Sequence, residues 1–398
     1  MPIVYVSEPP AAADLVIVGG GIVGAATAFH ASRAGLRPLV LERRPALSTL
    51  TTAAAAGGYR LQVESREELE LIGESVELFL HFEDATGQRE HDAGLRQHGY
   101  LWVTTSDEGV ERQRRLVEAQ RSWGLTDVQL IADADLRKAF PFLDPGTRQA
   151  RFRQADGLID PKGIALGLAA GATMATFAVG CDVVGIDLDG DGVRALRTTK
   201  GTVATRSVVI AAGPFSGLVA RLAGVHLPIE TVRRQKVVLP EVPEVPRGAP
   251  MTIDDDTGAH WRPAFGGAFL LFTDPSTPPS PPVDSVPTDP AFAFQLLDPQ
   301  SPQAVARISP FWRAVWGRGA PWLMQAGHYT MTPDRQPLIG PSSVPGLLVN
   351  TGYSGRGVMG GPAGSRILVD VLTGKLEAGA NPFRLDRELV ERPHLDPL

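Results

Sequence analysis

The clearest pattern of hydrophobic and polar positions lies near the N-terminus. Residues 15–18 form an uninterrupted apolar run, which is typical of a strand buried on both faces. A glycine-rich turn follows, and small and apolar residues then continue to about Arg33. A second apolar run, residues 38–41, ends in Glu42. This order of strand, turn, helix and strand predicts a βαβ unit with a parallel sheet.

The remaining pattern alternates between helical and strand-like segments. An amphipathic helix is predicted over residues 66–86 and a charged helix over 107–123, whereas residues 99–105 alternate like a strand. Residues 193–216 read as strands that are joined by a Lys-Gly turn and end in a glycine loop. Residues 347–374 repeat the order of strand, glycine loop and helix, so they predict a second junction of the N-terminal kind.

Two segments depart from this regular pattern. Residues 163–181 carry no charge and are long enough to span a bilayer, but they are rich in Ala, Gly and Thr. Pro161 is placed to begin a helix, so we predict a buried helix followed by a strand. Seven prolines fall between residues 275 and 290. The region 231–325 is therefore predicted to hold long loops rather than a compact unit.

The N-terminal turn carries chemistry because its glycines fill the pattern G-x-G-x-x-G. Gly19 makes the tight turn, Gly21 lets backbone amides approach a pyrophosphate, and Gly24 lets the helix pack on the strand. Glu42 lies 18 residues after Gly24, which suits an acceptor for ribose hydroxyls. The same acid would repel the 2′-phosphate of NADP, so NAD and FAD remain as candidates.

Composition narrows the class of protein. A net charge of −6 argues against a nucleic-acid partner. Cys181 is the only cysteine, so no internal disulfide can form and a reducing compartment is expected. The N-terminus lacks the features of a signal peptide, and no metal cluster or catalytic triad is evident among eight scattered histidines. We therefore expect a cytoplasmic protein with no membrane span and no bound metal.

Five motifs together resemble the D-amino-acid oxidase-like FAD-dependent amine oxidoreductases, nearest to the branch of sarcosine oxidase, beta-type proline dehydrogenase and glycine oxidase. The motifs are "VIVGGGIVG" with Glu42, "GLIDPKGIALGLAAGA" (157–172), "VVIAAGPFS" (208–216), "YTMTPDRQPLIG" (329–340) and "GYSGRGVMGGPAGSRIL" (352–368). The resemblance implies an α/β fold with a Rossmann-like FAD-binding domain of glutathione reductase type. It also implies an α+β substrate domain that is built on a mostly antiparallel sheet.

The resemblance also implies a discontinuous division of the chain. Residues 1–92, 152–224 and 333–398 would form the FAD-binding domain, and residues 93–151 and 225–332 the substrate-binding domain. In sarcosine oxidases a cysteine just before the "YTMTPD"-type motif binds the flavin covalently. Gly327 stands at that position here, so noncovalent FAD is expected. An NAD-dependent enzyme is disfavoured, because the second glycine junction would have no role in it.

The activity that the resemblance implies is oxidation of a small secondary or N-methylated amino acid. Hydride would pass from the carbon next to nitrogen to flavin N5, and the resulting imine would hydrolyse. One alternative is a glycine or D-amino acid oxidase or dehydrogenase that acts on primary amines. Another is a flavoprotein assembly factor, or a subunit of a larger complex, with little activity alone. The substrate, the electron acceptor and the oligomeric state are left open.

Arg60 is the first candidate for binding a substrate carboxylate, because a guanidinium can grip a carboxylate with two hydrogen bonds. Arg356 is the second, although it could instead lie near flavin N1–C2=O or face solvent. Tyr329 occupies a position that faces substrate in the family. His260, Arg262 and His328 are further candidates for the pocket, against the alternative that they are structural residues.

The cofactor-binding candidates come from the glycine junctions and the segments that follow them. They are Gly19, Gly21, Ile22, Val23, Gly24, Glu42, Arg43, Ala56, Gly57, Val184, Ala212, Gly213, Gly327, Gly355, Gly357, Val358 and Met359. Sarcosine oxidases also keep a lysine shortly after a Gly-Gly pair, and that lysine is associated with oxygen activation. The corresponding place here is near Leu271, where no lysine occurs. A dehydrogenase that passes electrons to another acceptor is therefore an alternative to an oxidase.

Overall fold

The computed structural model of the protein describes residues 2–89 and 91–391. Over these residues the chain forms twenty strands, which are β1 (Tyr5–Val6), β2 (Leu15–Val18), β3 (Pro38–Glu42), β4 (Gly58–Tyr59), β5 (Tyr100–Thr104), β6 (Gln129–Ala132), β7 (Gln149–Arg153), β8 (Gly157–Leu158), β9 (Thr176–Val179), β10 (Val183–Asp189), β11 (Gly192–Thr198), β12 (Gly201–Ala204), β13 (Val208–Ile210), β14 (Glu230–Leu239), β15 (Met251–Asp254), β16 (His260–Ala264), β17 (Gly267–Leu271), β18 (Leu323–Met331), β19 (Leu338–Pro341) and β20 (Leu347–Thr351).

The same residues form eleven α-helices, and three short 3₁₀ turns occur besides them. The helices are α1 (Ile22–Arg33), α2 (Thr51–Ala54), α3 (Arg66–Leu80), α4 (Phe82–Thr86), α5 (Asp107–Ser122), α6 (Asp133–Ala139), α7 (Pro161–Gly171), α8 (Ser216–Arg221), α9 (Pro290–Leu297), α10 (Trp312–Gly317) and α11 (Gly357–Leu372). Most of the elements that the sequence pattern predicts are present. The predicted helix over 66–86 is divided in two at His81, whose backbone leaves the helical region.

The first sheet has seven strands in the order β1-β9-β3-β2-β13-β20-β19, and all neighbours are parallel except β19 and β20. Its central strands are apolar throughout because helices cover it. Helix α1 packs against α7 and α11, and its small residues allow the close approach. The predicted helix after Pro161 is α7, which Asp160 caps by accepting from the Lys162 amide. A three-stranded antiparallel sheet, β10-β11-β12, lies outside this layer.

The second large sheet has eight strands in the order β18-β14-β17-β16-β15-β5-β7-β6, and it is antiparallel except for the pair β15 and β5. A separate hydrophobic core lies on this sheet, where Trp261 and Trp312 pack edge to face with ring centroids 5.9 Å apart. The predicted fold class is thereby confirmed. It is an α/β unit with a parallel sheet, together with a second unit on a mostly antiparallel sheet.

The prediction that residues 231–325 lack a compact unit was wrong. Strands β14 to β17 and helices α9 and α10 lie in this region and contribute most of the second core. The longest irregular stretch in this region is residues 272–289, where the prolines cluster. Proline density marked the loop correctly, but it hid the alternating strands on either side of it.

The strands divide between the two large sheets largely along the predicted segments. All seven strands of the first sheet lie within residues 1–92, 152–224 and 333–398. The strands of the second sheet lie within 93–151 and 225–332, except that β7 crosses the boundary between residues 151 and 152. The domain boundaries themselves stay a prediction.

Candidate functional site

The first glycine junction is fixed by close backbone contacts. A Cβ on Gly24 would lie 1.8 Å from the carbonyl oxygen of Gly19, so α1 can pack here only on glycine. Gly19 has φ +113°, and its Cβ would lie 2.5 Å from the carbonyl oxygen of Ala211. Helix α1 begins directly after Gly21, so the positive end of its dipole is directed at the cavity, where the first amide of the helix, that of Ile22, donates to Thr52 Oγ1 at 3.1 Å. The roles predicted for Gly19 and Gly24 agree with this geometry.

Glu42 ends β3 beside this junction. Its carboxylate accepts hydrogen bonds from the backbone amides of Gly20, at 2.7 Å, and Arg44, at 2.8 Å. Burial raises the pKa of this carboxyl, and the two amide bonds oppose that rise. The amides hold the side chain at the wall of the cavity, where its oxygens can accept from ribose hydroxyls.

Replacing Glu42 with glutamine is expected to weaken FAD binding about tenfold, because a hydrogen bond to a charged acceptor becomes one to a neutral amide. Titration of the apoprotein with FAD, followed by quenching of flavin fluorescence, measures the change. Glu70→Gln is the matched control, since Glu70 is exposed and pairs only with Arg66 on α3. Equal FAD affinities of Glu42→Gln and the unchanged protein would contradict the assigned role.

A cavity of about 470 Å³ extends from this junction to the second large sheet. Its walls contain Arg60, Tyr329, Arg356, His260 and His328 and fifteen of the seventeen predicted cofactor-binding residues. The exceptions are Gly24, which contacts the turn instead, and Val184. The Val184 side chain is 48% exposed, whereas Val183 is buried and lines the cavity. Successive side chains of a strand point to opposite faces, and the motif did not fix which one points inward.

The second glycine junction faces the same cavity. Gly355 has φ +91°, and a Cβ there would lie 2.5 Å from the ring of Tyr329. Ser354 also has a positive φ, of 48°, so the loop turns sharply before α11 begins at Gly357. The N-terminus of α11 therefore reaches the cavity at the second glycine junction, as the N-terminus of α1 does at the first. Two helix N-termini and Glu42 thus line a single cavity.

Arg60 is buried at the wall of the cavity, with 4% of its surface exposed. Its guanidinium carbon lies 4.9 Å from the centre of the Trp102 ring, and Nη1 donates to the carbonyl of Gln62. Arg151 packs on the same Trp102 ring, also at 4.9 Å. Arg60 therefore does not face solvent, because its side chain is enclosed by protein and cavity.

Arg356 forms an ion pair with Glu68 of α3, with Nη1 and Oε1 3.0 Å apart. Both side chains are largely buried, at 13% and 5% exposure. The solvent-facing alternative is excluded here as well. Glu68 thereby balances the charge of Arg356.

The two histidine candidates are buried, and Tyr329 is half-buried. Tyr329 lies against Gly355 and Arg234, and burial raises the pKa of its phenol. His260 Nδ1 is 2.8 Å from the carbonyl oxygen of Gly258, which fixes the ring. Burial lowers the pKa of His328, so its neutral form is favoured at the cavity wall.

The sequence analysis missed Lys236, which lies on β14 with 4% of its surface exposed and lines the cavity. Its Nζ donates to the carbonyl of Ala55 at 3.0 Å and lies 4.3 Å from the centre of the Phe269 ring. In the sheet register Lys236 is the partner of Leu271, the position at which a lysine was sought and not found. A neighbouring strand therefore brings a lysine to that part of the sheet. Only the strand pairing reveals it.

Burial, aided by the positive charge of Arg262, lowers the pKa of Lys236 to about 7. Lys236→Met is expected to raise the free energy of unfolding by about 2–4 kcal/mol at pH 6. Above pH 7 the unfolded state keeps a proton on Lys236 that the folded state has lost, so the stability of the unchanged protein rises with pH. The difference in free energy of unfolding between Lys236→Met and the unchanged protein therefore shrinks towards pH 10. Urea unfolding at pH 6 and pH 9.5 measures this, with the exposed Lys138→Met as control. An equal effect of Lys236→Met at the two pH values would contradict the expectation.

Two further properties concern the described residues, 2–89 and 91–391. No group of three or more His, Cys, Asp or Glu side chains there is placed to hold a metal ion. No helix in these ranges is both long and apolar enough to cross a membrane. Cys181 is buried, and its amide donates to the carbonyl of Glu42.

Residues 14–371 match the family of FAD dependent oxidoreductases of the DAO type, so the chain belongs to this family. The resemblance inferred from the motifs is confirmed, and FAD is confirmed as the cofactor. The chain is 29% identical over 236 residues to mitochondrial dimethylglycine dehydrogenase of Mus musculus, covering 58% of this chain and 27% of that protein. It is 25% identical over 395 residues to mitochondrial sarcosine dehydrogenase of Homo sapiens, covering 95% and 42%. The chain thus spans less than half the length of these relatives.

Solved structures share the fold over nearly the whole chain. The L-proline dehydrogenase from P. horikoshii superposes with a TM-score of 0.81 at 25% identity, covering 95% of this chain and 96% of that one. The glycine oxidase from Geobacillus kaustophilus gives 0.80 at 24% identity, covering 96% and 100%. At 24% identity, the similarity to the glycine oxidase shows a shared fold and no more.

The residues of the cavity fit FAD. Two glycine junctions allow close backbone approach and direct helix N-termini at the cavity, as a pyrophosphate and a flavin pyrimidine ring require. Glu42 is held as an acceptor at one end. At the other end buried cations and tyrosines from the second sheet complete the wall.

Proposed function

We propose that the protein oxidises a small amino acid with a secondary or N-methylated amine. Arg60 carries this proposal, because it places a buried guanidinium in the same cavity as both glycine junctions. A buried cation of this kind can grip a substrate carboxylate. The names of the relatives that act on dimethylglycine, sarcosine and L-proline support the same substrate class.

The chain's own residues bind and orient the substrate. Arg60 holds the carboxylate, and the Tyr329 ring, fixed against Gly355, forms a wall that positions the C–H bond. The surrounding buried side chains exclude water, which strengthens the ion pair with Arg60. FAD supplies the hydride acceptor when it is bound. The substrate leaves as an imine, which water hydrolyses to a carbonyl compound and an amine.

Three finer points belong to the same proposal. FAD is bound noncovalently, because Gly327 offers no side chain for a bond to the flavin. The protein acts in the cytoplasm, for which a single buried cysteine is suited. The electron acceptor is O₂ or another oxidant. The proposal holds for a monomer, a homo-oligomer or a complex with a partner subunit.

Turnover with an artificial electron acceptor dye tests the proposal. Sarcosine, N,N-dimethylglycine, L-proline, glycine and D-alanine are supplied in turn, and the carbonyl product is trapped with a hydrazine. We expect a secondary or N-methylated amino acid to reduce the dye, with one carbonyl group formed per two electrons. Preferential turnover of glycine or D-alanine would overturn the choice of substrate class. Dye reduction without a carbonyl product would overturn amine oxidation itself.

A further inference from the structure

One face of the eight-stranded sheet carries several cationic side chains. In the strand register His260 of β16 and Lys236 of β14 are both partners of Leu271, and Arg262 is the partner of Phe269. Residues directly opposite in a sheet point to the same side, as do residues two apart along a strand. Arg234, two residues before Lys236, therefore lies on this face too, and both line the cavity.

Two of these cations have an acid nearby, since the charge of Asp160 opposes the lowering of the Arg262 pKa and that of Asp274 opposes the lowering of the Arg234 pKa. Among the described residues that line the cavity, the acids are Glu42 and Asp182, and both lie where β3 and the Cys181 segment meet. The charge of Arg356 is matched by Glu68. Lys236, by contrast, makes its described hydrogen bond to a neutral carbonyl, that of Ala55. An ammonium buried in this way is costly unless an anion joins it.

Lys236 and Arg60 lie within one compact part of the site. Lys236 Nζ and the Arg262 guanidinium both pack on the Phe269 ring, at 4.3 and 4.4 Å. Burial raises the pKa of the Tyr100 phenol, and the charges of Arg60 and Arg262 both oppose that rise. Tyr100 thus lies near both guanidinium groups. The site therefore has a cation at Arg60 and a second cationic position at Lys236, supported by Arg262.

We propose that Lys236, which lines the cavity and has Arg262 beside it on the Phe269 ring, forms a second anion subsite, so that the substrate is an amine that carries two carboxylates. One carboxylate binds Arg60 and the other binds Lys236, with the reacting amine between them. The subsite deepens the proposed function and rests on it for the statement that the ligand is a substrate. A monocarboxylic amino acid would fill only the Arg60 position and leave the buried ammonium without an anion.

Unreactive acids of matched length test the subsite without turnover. Butyrate is compared with succinate, and pentanoate with glutarate, by calorimetric titration of the oxidised FAD-bound protein. We expect each dicarboxylate to bind about 10- to 100-fold more tightly than its monocarboxylate partner. Lys236→Met is expected to abolish this preference while it changes monocarboxylate affinity by less than about threefold. Lys236→Arg, which keeps the charge, and the exposed Lys138→Met are expected to retain a preference.

Two results would overturn the subsite. Equal affinity of the dicarboxylates and the monocarboxylates for the unchanged protein would show that no second anion is held. A preference that survives in Lys236→Met but is lost in Arg234→Met would place the anion elsewhere. The flavin spectrum and melting temperature of each variant show that it is folded and loaded. Because the acids do not react, failure of amine oxidation is read separately, in the turnover assay.

Discussion

Gly24→Ala is expected to yield a protein that retains little or no FAD and is destabilised by at least about 3 kcal/mol. The added Cβ would lie 1.8 Å from the Gly19 carbonyl oxygen, which is backbone and cannot rotate away. Helix α1 would have to move off β2, and the first amides of the helix would leave the pyrophosphate position. The ratio of flavin to protein absorbance and a urea unfolding curve measure the two effects.

Gly73→Ala provides the matched control for this substitution. Gly73 also lies within a helix, α3, but among the described residues a Cβ placed there would have no atom within 4 Å other than those of its chain neighbours and its own helix backbone. Because alanine is the better helix former, this variant should be unchanged or more stable by up to about 1 kcal/mol, with full FAD content. A Gly24→Ala protein as yellow and as stable as Gly73→Ala would refute the packing role of Gly24.

Arg60→Met is expected to lower kcat/KM for the preferred amino acid by about 30- to 1,000-fold. This corresponds to about 2–4 kcal/mol for removing one partner of a buried charge pair. Arg60→Lys should recover part of the loss, because a point charge remains while the two-pronged geometry is gone. Steady-state kinetics with the dye acceptor measures both variants.

An amine without a carboxylate separates the binding role of Arg60 from a structural one. Oxidation of the corresponding N-methylalkylamine is expected to be slow in the unchanged protein and to fall by less than about threefold in Arg60→Met, because this substrate has no carboxylate for the guanidinium to bind. A structural defect, caused by lost packing on Trp102, would reduce both substrates and the FAD content alike. Parallel loss of both activities would therefore remove Arg60 as the carboxylate ligand.

The parts of the molecule that could be predicted from sequence are those with local signals. The glycine spacing of Gly19 and Gly24, the acid at the end of β3 and the second strand-to-helix junction each reflect a requirement of neighbouring backbone. The cavity lining therefore agrees with nearly every cofactor-binding residue inferred from the motifs. The side chain of Val184 points away from the cavity and that of Val183 points into it, because one residue along a strand reverses the direction of a side chain.

The parts that could not be predicted depend on pairing between distant segments. Lys236 reaches the cavity opposite Leu271 only because β14 pairs with β17. The sequence pattern within either strand does not predict this pairing. The ion pair of Arg356 with Glu68 joins α3 to the loop before α11, far apart in the chain. Charge compensation of this kind becomes visible only in the folded chain.

Anaerobic reduction of the bound flavin tests the central claim, amine oxidation within this cavity, most directly. The purified protein is titrated with sarcosine, N,N-dimethylglycine, L-proline, glycine, D-alanine and the dicarboxylic amine iminodiacetate, while the flavin band near ~450 nm is recorded. The account predicts that a secondary or N-methylated amino acid bleaches this band, and that Arg60→Met raises the concentration needed for half reduction. A yellow protein that keeps its band with every amine in the panel would contradict the account.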